Sequence, residues 1–104
     1  MSNVITDGTQ AVAVAGTRLA LSATSVKVLS IAIRAGSSNT GVIVVGGATV
    51  VASYATRRGY PLAVNESIAL NAGHSGDGGA LDLADVYIDG TVGTDKVTWM
   101  ALKR

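Results

Sequence analysis

The stretch Val26-Lys27-Val28-Leu29-Ser30-Ile31-Ala32-Ile33-Arg34, followed closely by Val42-Ile43-Val44-Val45, decides the fold class. Both runs are dense in β-branched residues and show no helical spacing of apolar positions. Branching at Cβ costs rotamer freedom in a helix and suits a pleated surface, so both read as strands. Working outward, the same period-two pattern returns. Glu66, Ile68 and Leu70 oppose Ser67, Ala69 and Asn71, and Asp85, Tyr87 and Asp89 alternate with Val86 and Ile88. The run from Val97 to Leu102 is apolar on both faces, with Trp99 between Val97 and Ala101, in the core or an interface. Strands are expected over 11–14, 18–22, 25–34, 41–46, 48–54, 66–71, 84–89 and 95–102. Turn signals separate them at Asp7-Gly8, Ala15-Gly16, Asn39 to Gly41, Gly46-Gly47 and Asp89-Gly90. The glycine-dense run from Gly73 to Gly79 reads as a surface loop. About seven or eight strands on this spacing predict an all-β chain, a single-domain antiparallel β-sandwich of jelly-roll type.

Composition narrows the function classes. The chain has 104 residues, no cysteine, one histidine and a formal charge of +1. That length fits one domain, 1–104, with a modest core. Without cysteine there is no disulfide framework, thiol nucleophile or thiolate metal site. A near-neutral balance argues against general nucleic-acid binding. Charged residues make up 14% against 48% apolar, well below the roughly 25% charged of an ordinary soluble domain. Too little charge to coat the surface predicts that part of it faces protein. Residues 35–56 carry no formal charge, yet serine, threonine, asparagine and glycine punctuate them, which argues against a membrane-spanning helix. The N-terminus has no basic segment and carries Asp7, so no secretory leader is expected and a cytoplasm is the expected place of synthesis.

Two features point to self-association. Strands 26–34 and 41–46 are apolar on both faces, and with no helix to cover the outer side, a neighbouring subunit is the expected cover. Charge is also split along the chain. Residues 1–58 carry Arg18, Lys27, Arg34, Arg57 and Arg58 against Asp7, a net of +4, while 59–104 carry six acids against Lys96, Lys103 and Arg104, a net of −3. Opposite halves suit a head-to-tail ring contact unless they interleave in the fold.

No residue set supports catalysis. His74, Ser75 and Asp77 share one flexible loop, whereas a triad needs groups converging from rigid positions. Asp89 to Asp95 lacks the alternating ligands of a calcium loop and reads as a turn, with Asp-Gly supplying a positive φ. Asp85 and Asp89 on one extended strand face lie too far apart for a glycosidase pair. Arg57-Arg58 reads as a solvated or intersubunit pair, and Gly46-Gly47 and Gly78-Gly79 fit no phosphate-binding pattern. Tyr54, Tyr60 and Tyr87 are scattered, a thin platform for stacking sugars. No catalytic, cofactor-binding or metal-binding residue is assigned, and no cofactor is expected.

The segment order carries a resemblance. Val26-Lys27-Val28-Leu29-Ser30-Ile31 leads to Ser38-Asn39-Thr40-Gly41-Val42-Ile43-Val44-Val45-Gly46. Gly59-Tyr60-Pro61-Leu62 with Glu66-Ser67-Ile68 follows, and then Val86-Tyr87-Ile88-Asp89-Gly90 with Val97-Thr98-Trp99. Over residues 25–102 this resembles the small all-β virion proteins of tailed bacteriophages, particularly capsid decoration (cement) proteins and related head-surface or fibre-base modules. The resemblance implies a non-enzymatic subunit on the capsid exterior that trimerises and clamps the major capsid protein. A receptor- or glycan-binding module of a tail fibre or spike is the alternative. Residues 1–24 carry no such motif and suit an N-terminal arm reaching a neighbour.

Overall fold

The computed structural model describes residues 4–71 and 81–103. Ten strands follow in chain order: β1 (Val4–Ala11), β2 (Leu19–Ala20), β3 (Lys27–Val28), β4 (Ser30–Ala35), β5 (Ile43–Gly46), β6 (Tyr60–Leu62), β7 (Ser67–Asn71), β8 (Leu81–Asp82), β9 (Tyr87–Gly90) and β10 (Lys96–Lys103). Sheet A has the order β1-β10-β4-β7 and sheet B the order β2-β9-β5-β6, with β3 and β8 forming a separate pair. Every pairing is antiparallel. With the two-residue strands β3 and β8 set aside, the remaining strands pair first with last, second with seventh, third with sixth and fourth with fifth. That is a long antiparallel ribbon rolled over itself, the jelly-roll arrangement of a β-sandwich.

The core lies between the sheets and is aliphatic. Sheet A contributes Ile31, Ile33 and Ala35 from β4 and Val97 and Ala101 from β10; sheet B contributes Ile43, Val45, Leu62 and Ile88. Val12, Leu21 and Leu83 close it. Each large side chain buried here stabilises the fold by about 1.5–3 kcal/mol relative to exposure.

Several expected strands are redrawn. The run 25–34 breaks at Leu29, where β3 pairs with β8 while the Leu29 N–H donates to the Leu102 carbonyl. The break resets the alternation, so Val28 and Ile31, three apart, are both buried. The outer face of β4 is left with Ser30, Ala32 and Arg34. Expected strand 11–14 keeps only Ala11; the strand runs instead over Val4–Ala11, straight through Asp7-Gly8. Gly8 is no turn residue there. It sits opposite Trp99 in the ladder, and a Cβ on it would lie 2.6 Å from the indole. Expected strand 84–89 begins with a 3-10 turn, Leu83–Asp85, so Asp85 and Asp89 share no strand face. Tyr60–Leu62 pairs as β6 with Pro61 at the sheet edge, where a missing N–H is tolerated.

The largest correction concerns β5. Ile43, Val44 and Val45 are all buried, as a doubly apolar strand requires. The cover on the outer side is not a neighbouring subunit. It is the chain's own segment 50–52, whose Val50 and Ala52 pack on Val44. The expected strand 48–54 is therefore a clasp, held by one bridge between Val51 and Arg58 and a 3-10 turn at Tyr54–Thr56.

Candidate interaction surface

Three aspartates of the acidic second half are committed to backbone N–H groups. Asp89, 2% exposed, accepts from Gly16 N at 3.1 Å and Gly90 N at 2.8 Å through Oδ1, and from Ala52 N at 2.8 Å through Oδ2. It thereby pins both the 13–17 loop and the clasp onto sheet B. Asp95, 3% exposed, accepts from Thr40 N at 3.0 Å and Gly41 N at 2.8 Å. Asp82 accepts from the Ser25 hydroxyl and from the N–H groups of Ala84 and Val26, and pairs with Lys27 Nζ at 3.3 Å. The Ser25 hydroxyl, then the Ala84 amide, with smaller contributions from Val26 and Lys27, hold its carboxyl well below the usual carboxylate range. The expected turn at Asp89-Gly90 is also corrected. Gly90 belongs to β9 under Val12, and among the described residues of that loop the positive φ falls on Thr94 at 75°.

The basic residues are partly engaged as well. Arg57 donates from Nε and Nη2 to the Ala52 carbonyl, and Arg18 Nη1 to the Val50 carbonyl, both bracing the clasp. The +4 and −3 halves interleave within the fold, because every strand pairing joins a strand from residues 1–58 to one from 59–104. His74, Ser75 and Asp77 lie outside the described residues. Among the described residues no cluster of three histidine, aspartate or glutamate side chains could hold a metal ion, and no helix is long and apolar enough to cross a membrane.

What remains open is the outer face of sheet A. The register sets out its rows: Ile5, Leu102, Ser30 and Asn71; Asp7, Met100, Ala32 and Ala69; Thr9, Thr98, Arg34 and Ser67; Ala11 and Lys96. Ile5 is 65% and Met100 54% exposed. With Leu102 and the small Ala32 and Ala69 they line a shallow apolar groove of about 210 Å³. On the opposite, inner side, Trp99 packs on the core, its Nε1 buried without an acceptor among the described residues.

Among the described residues both edges of this sheet present unpaired backbone. Val12 exchanges hydrogen bonds with the start of β10, its N–H donating to Asp95 and its carbonyl accepting from Thr94. By alternation Gln10, Gly8 and Thr6 face β10, while Ile5, Asp7, Thr9 and Ala11 direct their N–H and C=O groups outward. At the other edge the Ala35 N–H donates to Glu66, so Ser67, Ala69 and Asn71 point outward. None of these outward groups has a partner among the described residues. β1 carries no proline or lysine, and Asp7 is the one charged side chain on its exposed edge. Sequence reading missed this strand altogether, although the β-branched Val4, Ile5, Thr6 and Thr9 signal it once Gly8 is understood as an indole seat.

A second surface centres on Tyr54, 87% exposed at the tip of the clasp with the Arg57 guanidinium 5.6 Å from its ring centroid. It borders a cleft of about 390 Å³ lined by Ala15, Gly16, Ser53, Gly90 and Thr91. Compared with family models, with curated proteins and with solved structures, the chain matches none.

Proposed function

We propose that this chain is a non-enzymatic virion structural protein, a capsid decoration (cement) subunit of the tailed-phage kind. In this reading it self-associates, with trimers favoured, and binds the outer surface of the major capsid protein lattice. The observation that carries it is the apolar groove around Ile5 and Met100 on the open outer face of sheet A, between two edges unpaired among the described residues. Ile5 and Met100 stand exposed there while every acid with several backbone partners is tied up in holding the loops. Such a face suits burial against protein. The jelly-roll architecture and the segment order quoted above agree with it. Stabilisation of the shell follows by linkage, because a ligand for the assembled lattice adds its binding free energy to the lattice, and several subunits joined together multiply avidity.

The test is co-sedimentation of purified protein with expanded shells of the major capsid protein encoded in the same genome. The reading expects saturable binding and a raised shell melting temperature. A protein that leaves the shells bare at high concentration refutes it. The exposed Tyr54 ring beside its cleft favours a second reading, glycan binding by a fibre or spike module, since sugars stack on such rings. A glycan array with Tyr54→Ala as control separates the two.

A further inference from the structure

We infer that two copies of the chain join β1 to β1 about a twofold axis at Gly8, so that their two A sheets continue as one eight-stranded sheet. The contact rests on the proposed function for one point, that copies of the chain associate, and is twofold where the resemblance implies threefold.

Of the four edges of sheets A and B, β1 offers a second strand the most. Sheet B ends in β2, two residues long, and in β6, three residues long with Pro61 lacking an N–H. β7 turns three residues outward, Ser67, Ala69 and Asn71. β1 turns out four, Ile5, Asp7, Thr9 and Ala11, whose N–H and C=O groups have no partner among the described residues.

Parity and charge set the register. Two copies of one strand related by a twofold axis run antiparallel, and outward residues must face outward residues to exchange both hydrogen bonds. An axis at Asp7 sets two carboxylates directly opposite each other, which is destabilising. An axis at Thr6 sets Ile5 against the carboxylate and moves Thr9 and Ala11 past the described end of the partner strand. An axis at Gly8 matches all four: Ile5 meets the partner's Ala11 and Asp7 meets the partner's Thr9, each pair twice by symmetry. In that register the Thr9 hydroxyl stands beside a carboxylate to which it can donate, on the same exposed face of the sheet. Asp7, a hindrance in the neighbouring register, thereby selects this one.

Gly8 suits the axis for a second reason. It meets its own copy there as a non-hydrogen-bonded pair, the closer kind, with Cα atoms about 4.5 Å apart. On the inner face the Nε1–Cε2–Cζ2 side of the Trp99 indole lies over Gly8, 2.6 to 3.1 Å from where a Cβ would stand. The partner's indole lies over its own Gly8 in the same way. The two rings therefore face each other edge to edge across the axis at about the Cα spacing of the pair, close to contact. A side chain at position 8 would displace the indole and wedge the seam. The joined sheet stays open, with a β7 strand at either end, so ordinary strand twist runs through the seam without a corner.

The chain has no cysteine, so introduced thiols report on the seam alone. Ile5→Cys and Ala11→Cys chains are mixed and oxidised mildly. Across the seam these positions lie opposite each other, Cα atoms about 5.5 Å apart and within disulfide range. Either position and its own copy lie six residues apart along the seam, about 20 Å, far out of range. The mixture is expected to give a covalent dimer on a denaturing gel, and either variant alone several-fold less. Light scattering of the wild type over a concentration series is expected to approach twice the chain mass. The emission of half-buried Trp99 should shift to the blue in step, as its exposed edge is covered. Thr9→Asp sets two like-charged pairs across the seam and is expected to raise the dimer dissociation constant about tenfold with an unchanged far-ultraviolet spectrum. Adding Asp7→Thr restores the pairing in reverse and should return the constant to within about threefold of wild type. Ala69→Pro, on the other edge, should leave it unchanged. A wild type that stays at one chain mass or settles at three overturns the inference. So does a cross-link as strong in Ile5→Cys alone as in the mixture, or a Thr9→Asp dimer as tight as wild type. A dimer that leaves capsid shells bare keeps the inference and removes the capsid reading; a monomer that coats them does the reverse.

Discussion

Asp89→Asn probes the device that replaces the missing outer layer. The wild-type carboxylate accepts three backbone N–H groups, two at Oδ1 and one, from Ala52, at Oδ2. An asparagine keeps one acceptor oxygen. Oriented to retain Gly16 and Gly90, it turns its own NH₂ toward the Ala52 N–H and leaves that buried donor unpaired. Hydrogen bonds to a charged group contribute about 1.5–3 kcal/mol each, and the lost carboxylate charge weakens the two that remain. The expected loss is about 2–4 kcal/mol, a fall in melting temperature of about 10–20 °C for a chain of this size. The assay is urea unfolding followed by the fluorescence of Trp99, the sole tryptophan. The midpoint should fall with the slope unchanged. Native-state hydrogen exchange should quicken first at the Ala52 amide, because the clasp lifts from Val44 before the sandwich opens. The exposed Asp85→Asn is the control and should stay within about 0.5 kcal/mol of wild type. A loss below about 0.5 kcal/mol for Asp89→Asn, or a larger one without faster exchange at Ala52, would refute the pinning argument.

Other consequences follow from the same geometry. Gly8→Val places a branched side chain where the indole of Trp99 lies, and should cost about 1–3 kcal/mol while red-shifting the emission; unchanged emission would mean that the indole is not seated on Gly8. The Asp82 carboxyl is held low in the folded state, so its stabilisation is complete above the unfolded value near 3.9 and drains as pH falls toward the folded value. The stability gap between wild type and Asp82→Asn should therefore narrow below about pH 4, and a gap constant down to the acid transition contradicts the assignment. Tyr54→Ala should leave melting unchanged because the ring is exposed, and should abolish sugar binding only under the glycan reading.

Local sequence was enough for the fold class. β-Branched clustering and alternation placed β5, β7 and β10 within a residue or two of their observed bounds, because strand propensity and period two are local properties of the chain. Everything that depended on a partner far along the chain escaped that reading. Gly8 looks like a turn until Trp99 is set opposite it; Val44 looks like an interface until Val50 and Ala52 close over it. The aspartates looked like an acidic surface until their backbone donors were in place. In a jelly roll the first strand pairs with the last, so the neighbours that decide whether a side chain is covered or bare are set by register between Val4 and Lys103, not by adjacent residues. Tertiary structure alone decided which apolar side chains stay open, among them Ile5 and Met100 in the groove on the outer face of sheet A.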